Sequence, residues 1–140
     1  MKSKISRVII AAVLIFTMIP GVAVLAAEDD SGIMPRDEGI LSSKPHLTIS
    51  DSGLANCYAQ VRVSPGYTAD IELTLMRRAP SSSSWSEVMS WTDDTTPYSI
   101  DKYQLVTKGY IYQLKLDVNV YNSDGVLVSD PIKHSDEVEY

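Results

Sequence analysis

Hydrophobic and polar side chains alternate along two long stretches of the chain. A period of two indicates a β-strand with one buried and one solvated face, because successive side chains of a strand point to opposite sides. The longer stretch, 110–121, would span about 40 Å when extended, which predicts a central strand. The apolar phases of the two stretches are Tyr110, Tyr112, Leu114, Leu116, Val118 and Val120, and Ala55, Cys57, Ala59, Val61 and Val63.

Five shorter segments complete a set of about seven predicted strands. They lie at 47–49, 71–76, 85–92, 98–106 and 126–128. Turn-forming residues separate them, and Gly125 follows the longest strand where a hairpin turn requires a positive φ. No stretch beyond residue 30 has helical periodicity. The pattern therefore predicts an all-β fold of packed antiparallel sheets, a β-sandwich, with a small barrel as the alternative closure.

The first 27 residues have the order of a secretory signal. Basic residues come first, an apolar run follows, and Pro20-Gly21 precedes a stretch of small residues. This order predicts a signal-peptide helix over 1–27, cleaved after Ala26 or Ala27, with retention as a membrane anchor as the alternative. The rest of the chain divides into a predicted flexible acidic linker at 28–45, a β-sandwich domain at 46–132 and an acidic tail at 133–140.

The charge balance narrows the classes of partner. The chain has 12 Lys and Arg against 18 Asp and Glu, and three basic residues lie in the predicted signal, so 12 − 3 = 9 remain and the net charge after cleavage is 9 − 18 = −9. Such a surface repels nucleic acids and anionic polymers. We expect a secreted, extracellular protein with no nucleic-acid partner, which meets a membrane only through the signal before cleavage.

Cys57 is the single cysteine of the sequence. One thiol cannot form an intramolecular disulfide, so disulfide-rich secreted scaffolds are excluded and the fold must depend on packing. Cys57 lies on the apolar phase of its strand, which predicts a buried and unreactive thiol, since a free buried cysteine behaves as a small hydrophobic residue.

Residue types suited to catalysis or metal binding are few and scattered. His46 and His134 are the only histidines, and neither lies in a nucleophile motif. Together with Cys57 they lack the spacing of a zinc site, and the acidic pairs match no calcium loop. We therefore predict a non-enzymatic protein with no catalytic residue, no metal site and no cofactor. The alternatives are a small enzyme inhibitor that presents the loop at 79–84, or an uncharacterised hydrolase.

Aromatic side chains are the most usable functional signal. They concentrate in the second half of the chain, and an exposed aromatic face beside polar groups can stack on sugar rings or contact a partner protein. We predict binding of a glycan or protein at the cell surface, with Trp85 and Trp91 on an exposed edge strand. Packing in the core is the competing interpretation for any one of these residues. The candidate binding residues are Trp85, Trp91, Tyr98 and Tyr103.

Three positions resemble landmarks of immunoglobulin domains. Cys57 and Leu114 occupy the inward positions on the second and the long strand where an antibody domain has its bridging cysteines, and Tyr112 precedes Leu114 by two, as in a tyrosine corner. Leu114 is not Cys, and no Trp lies in the third strand. The resemblance implies an immunoglobulin-like sandwich architecture and no ligand.

A second resemblance covers roughly 57–128. The segments 75–78, 84–91 and 106–114, the last containing Lys108-Gly109-Tyr110-Ile111-Tyr112, are similar to a family of small exported proteins from Gram-positive bacteria. A signal peptide, a Trp-containing middle segment and a Lys-Gly-Tyr-x-Tyr strand are typical of that family. Its function is uncharacterised, so the resemblance implies no catalytic or binding residue.

Overall fold

The computed structural model describes residues 37–140, and this part of the chain consists of antiparallel strands and connecting turns. The predicted signal and the first part of the predicted linker lie outside the described residues. No helix within 37–140 is long and apolar enough to cross a membrane. The strands are β1 (Ile40–Ile49), β2 (Leu54–Val63), β3 (Thr68–Arg78), β4 (Ser86–Asp93), β5 (Ser99–Leu105), β6 (Ile111–Tyr121), β7 (Leu127–Ser129), β8 (Ile132–His134) and β9 (Val138–Glu139).

Two antiparallel sheets form the predicted sandwich. The smaller sheet has the order β1-β2-β5, and the larger sheet has the order β4-β3-β6, with β7, β8 and β9 pairing in turn along the free side of β6. The chain changes sheet between β2 and β3, between β4 and β5, and between β5 and β6. The predicted antiparallel immunoglobulin-like sandwich is confirmed, and residues 37–140 contain nine strands where about seven were predicted.

The core lies between the inner phases of the two sheets. Burial alternates strictly along β2 and β6, which matches the alternation of apolar residues in the sequence. Cys57 and Leu114 are both fully buried, as predicted from their phase. Burying such apolar side chains contributes about 25 cal/mol per Å² of surface removed from water, so this layer is the main source of stability. Its largest members are Tyr112, Ile71, Leu73, Leu75, Leu114, Leu116, Val118 and Val120.

The smaller sheet begins earlier than the sequence pattern indicated. Residues 40–45, predicted as linker, belong to β1 and pair with the end of β2, with Ile40 opposite Val63 and Pro45 opposite Ala59. Pro45 is buried. A proline has no N–H to donate to the sheet ladder, so its presence in a sequence argues against a strand. An edge strand tolerates a proline because one side of the strand needs no hydrogen-bond partner.

The C-terminal segment completes the larger sheet. Residues 133–140, predicted as an acidic tail, contribute His134 opposite Lys115 through β8, and Val138 opposite Tyr112 through β9. Between these two short strands, Ser135 is buried and its hydroxyl oxygen accepts a hydrogen bond from the backbone N–H of Leu114 at 2.9 Å. The segment therefore runs along β6 as one interrupted strand.

Candidate binding face

The four predicted binding residues do not form one surface. Tyr98 is 4% exposed and belongs to the core, so the structure contradicts its assignment as a binding residue. The reason is its phase: Tyr98 lies two residues before the buried Ile100 and points the same way. Its carbonyl accepts a hydrogen bond from the N–H of Val61 at 3.0 Å, which ties the start of β5 to β2.

Both tryptophans are half-buried at the open edge of the larger sheet. Trp91 lies opposite Leu73 in the β3–β4 ladder and packs against the core. The guanidinium carbon of Arg78 lies 5.2 Å from the centre of the Trp85 ring, a cation–π distance. β4 is an edge strand, as predicted, but neither indole is a freely exposed platform.

Tyr103 is the predicted residue that the structure leaves open to a ligand. It is 63% exposed on the outer face of the smaller sheet, opposite Asn56. Directly opposed residues of an antiparallel pair share a face, so the ladder between β2 and β5 defines its neighbours. We call this surface the Tyr103 face; it consists of Leu54, Asn56, Tyr58, Asp101, Tyr103 and Leu105.

Each tyrosine of this face is paired with a polar residue on the neighbouring strand. Tyr58 lies opposite Asp101, and Asn56 lies opposite Tyr103, so the two tyrosines are diagonal neighbours. The amide Nδ2 of Asn56 donates a hydrogen bond of 3.2 Å to Oδ1 of Asp101 along the other diagonal. The result is an aromatic diagonal that crosses a polar one.

One end of the Tyr103 face is aliphatic. Leu54 lies opposite Leu105, and the two side chains are 39% and 70% exposed. Adjacent exposed leucines extend the apolar surface beyond the tyrosines, where a flat ligand could continue. Sequence reasoning missed Leu54 and Tyr58, although both are apolar residues on the otherwise polar phase of β2, a signal that could have identified them.

Groups suited to catalysis do not converge in residues 37–140. His46 lies on β1 in the smaller sheet, and His134 lies on β8 in the larger sheet. No three His, Cys, Asp or Glu side chains of the described chain are placed to hold a metal ion. The loop at 79–84, the candidate inhibitor loop, is tied down by a hydrogen bond of 3.2 Å from the Arg78 guanidinium to the carbonyl of Ser82.

The carboxylate of Asp93 stabilises the loop between β4 and β5. One carboxylate oxygen accepts hydrogen bonds from the hydroxyl and the N–H of Thr95, at 2.8 and 3.2 Å, and the other accepts one of 3.0 Å from the N–H of Ser99. The hydroxyl of Thr95 and the N–H of Ser99 lower the pKa of Asp93. This carboxylate shapes the turn that carries the chain to the other sheet.

Comparison with known proteins gives a distant likeness in fold. No family model and no curated protein matches the chain. Among solved structures, it is similar to the sensor domain of the anti-sigma factor RsgI4 of Pseudobacteroides cellulosolvens, with 14% identity and a TM-score of 0.36 over 71% of this chain and 99% of that chain. That likeness is too distant to carry an argument. The resemblance to the exported Gram-positive family stays a prediction.

Proposed function

We propose that the protein is a secreted, non-enzymatic binding module that holds a neutral glycan of the cell surface on its Tyr103 face. The observation that carries this proposal is the 63% exposure of Tyr103 on the outer face of the smaller sheet, diagonal to a second tyrosine. An aromatic ring offers a large apolar surface that packs on the apolar face of a sugar ring. The side chains of Asn56 and Asp101 lie beside it and can bond hydroxyl groups.

Two features of the chain support a neutral glycan as the ligand. The sequence from residue 28 has a net charge of −9, which disfavours an anionic polymer. The face itself contains one carboxylate, Asp101, and that carboxylate is already bonded to Asn56. A neutral ligand with hydroxyl groups matches this surface better than a charged one.

The test is binding of the purified protein to a panel of insoluble polysaccharides and cell-wall fractions. We expect Tyr103→Ala to weaken binding by about fivefold, since an aromatic contact contributes on the order of 1 kcal/mol. Val126→Ala is the matched control: Val126 is 56% exposed in the β6–β7 turn, and binding should not change. If no fraction retains the wild-type protein, or if Tyr103→Ala binds equally well, the glycan proposal fails.

The aliphatic end of the face favours a protein partner as the second candidate. Leu105 is 70% exposed, and exposed leucines in one patch are typical of contact surfaces between proteins. Leu105→Asp separates the two candidates. It should abolish binding to a protein partner that covers the whole face and leave binding to a glycan centred on Tyr103 largely intact.

A further inference from the structure

The outer side of β4 is an unpaired strand edge. β4 pairs with β3 on one side, and no strand within residues 37–140 pairs with its other side. Alternate N–H and C=O groups of such a strand point away from the sheet and offer hydrogen bonds to another extended chain. The bulge in the β3–β4 ladder lies between Leu75 and Met76, so the ladder is regular from Met89 to Asp93.

The middle of this edge lacks the lysine and proline that the two edges of the smaller sheet carry. The segment 88–92 contains no charged residue and no proline, and Met89 is 42% exposed. By contrast, the edge strand β1 contains Lys44 and Pro45, and the edge strand β5 contains Lys102. Lysine and proline on an edge discourage pairing with further strands. Between residues 88 and 92, β4 is therefore more open to strand addition than the edge strands β1 and β5.

An acidic depression adjoins the same strand. It has a volume of about 380 Å³, and its lining includes Asp70, Glu72, Asp93 and Asp94 together with Thr92 of β4 itself. None of the residues that line it is basic. The hydroxyl of Ser90 donates a hydrogen bond of 2.6 Å to the carboxylate of Glu72, which fixes one acid of the depression relative to β4.

Asp70, Glu72 and Asp94 offer carboxylates that suit an organic cation, whereas both oxygens of Asp93 are already bonded within its turn. No three metal-binding side chains of the described chain converge on one point, so a single metal ion would lack ligands. The charged end of a Lys or Arg side chain is larger, brings its own hydrogen-bond donors and can contact dispersed carboxylates. A cation that reaches the depression from a strand paired with β4 would be held by both features.

We propose that β4 binds an extended basic segment of a second protein as an added antiparallel strand, with a Lys or Arg side chain of that segment in the acidic depression. Charge complementarity identifies the occupant: the edge is flanked by Glu87 and Asp93, and the neighbouring depression is acidic. A second copy of this chain is a poor occupant, because antiparallel pairing centred on Ser90 places Glu87 opposite Asp93 of the other copy. This site is separate from the Tyr103 face, and it stands if the glycan proposal fails.

The test uses synthetic peptides and the full chain. The probe is a seven-residue peptide of alternating lysine and valine; its controls are the same peptide with glutamate for lysine and the same peptide with N-methyl groups on alternate amides. Binding is followed by tryptophan fluorescence, to which Trp91 in β4 and Trp85 directly before β4 both contribute, and by amide chemical shifts. We expect the lysine peptide to bind at low salt, and both control peptides to bind at least about tenfold more weakly.

Charge variants of the protein test the depression. Asp70→Asn with Asp94→Asn should weaken binding of the lysine peptide by about tenfold. Asp124→Asn with Asp130→Asn removes the same charge from exposed positions in the β6–β7 turn and beyond β7, and binding should change little. The proposal is overturned if the lysine peptide does not bind, if the N-methylated peptide binds equally well, or if both double variants weaken binding alike. Glycan binding by the Asp70→Asn, Asp94→Asn variant, measured in parallel, separates failure of this site from failure of the Tyr103 face.

Discussion

At the scale of single residues, Cys57 and Tyr112 show what the sandwich requires at fixed positions. Cys57 is fully buried on β2, and burial raises the pKa of its thiol from 9.0 to about 12. Tyr112 is 1% exposed on β6, but its hydroxyl reaches Thr107, where it donates a hydrogen bond of 2.7 Å to the carbonyl and accepts one of 3.0 Å from the N–H. This is the tyrosine corner that the sequence predicted.

The thiol of Cys57 should be inert in the native protein. At pH 8, the raised pKa reduces the thiolate fraction by about a thousandfold relative to an exposed cysteine, and the thiolate is the reactive form. We expect no reaction with an aromatic disulfide reagent until the chain is unfolded in guanidinium. Rapid reaction of the folded protein would contradict the burial of this side chain.

The same thiol gives stability a defined pH dependence. Between pH 9 and about 12, the unfolded chain has lost the thiol proton while the native chain retains it, so the unfolded state binds fewer protons and the free energy of unfolding falls as pH rises. Cys57→Ala should lack this contribution. Urea unfolding of both proteins at pH 8.5, 9.5 and 10.5 measures the difference, and equal slopes would contradict the pKa assignment.

Tyr112→Phe should cost about 1 kcal/mol of unfolding free energy. The substitution keeps the ring in the core and removes only the hydroxyl, and Thr107 is exposed, so its freed backbone groups can bond to water. Urea unfolding measures the loss. Tyr103→Phe is the control, since its hydroxyl is on the exposed face, and an equal loss there would show that the corner bonds add nothing.

At the scale of elements, alternation in the sequence located strands wherever one face is apolar. The predicted segments 55–63 and 110–121 match β2 and β6 to within one residue, and 71–76 is the middle of β3, because each segment has apolar residues on every inward position. β7 overlaps the predicted strand 126–128. β8 and β9 escaped prediction because the inward positions of their segment include Lys133 and Ser135, which lack the apolar character of a core face. Pairing with β6 holds this segment, and Val138 and Tyr140 add contacts with the core.

Ser135→Ala tests that interpretation. The hydroxyl of Ser135 accepts from the N–H of Leu114, which is fully buried, and donates to the carbonyl of Asp136 at 2.8 Å. Removing it leaves a buried N–H without a partner, so we expect a loss of about 1–3 kcal/mol, more than for Tyr112→Phe. Ser123→Ala, at an exposed turn position, is the control for thermal and urea unfolding. A loss no larger than that of the control would contradict the role of Ser135.

At the scale of the whole molecule, the sequence predicted the architecture more completely than the candidate site. The alternation of apolar and polar residues identifies the side chains that face inward, and these side chains form the core. A binding surface depends on which strands become neighbours, and pairing between β2 and β5 brings together residues far apart in sequence, such as Tyr58 and Asp101 or Leu54 and Leu105. Tyr103 could be predicted as an aromatic residue of the second half, but the pairing that places it beside β2 could not.

The direction in which each side chain points explains why Tyr98 and Trp91 do not form a binding surface. Tyr98 shares the inward phase of Ile100, and Trp91 lies opposite the buried Leu73, so both contribute to packing. The smaller sheet presents the Tyr103 face, and the larger sheet presents the open edge of β4. These are different surfaces of one sandwich, so a glycan and a peptide would not compete for the same atoms.

The single buried cysteine has a consequence for where this domain can work. Because Leu114 stands at the inward position where an antibody domain has its second bridging cysteine, no cystine has to form before the chain reaches its native state. Folding of the domain then does not depend on the oxygen or thiol concentration of its surroundings. We expect the domain to fold equally well under oxidising and reducing conditions. Expression in a bacterial cytosol should therefore yield folded protein without an oxidative refolding step.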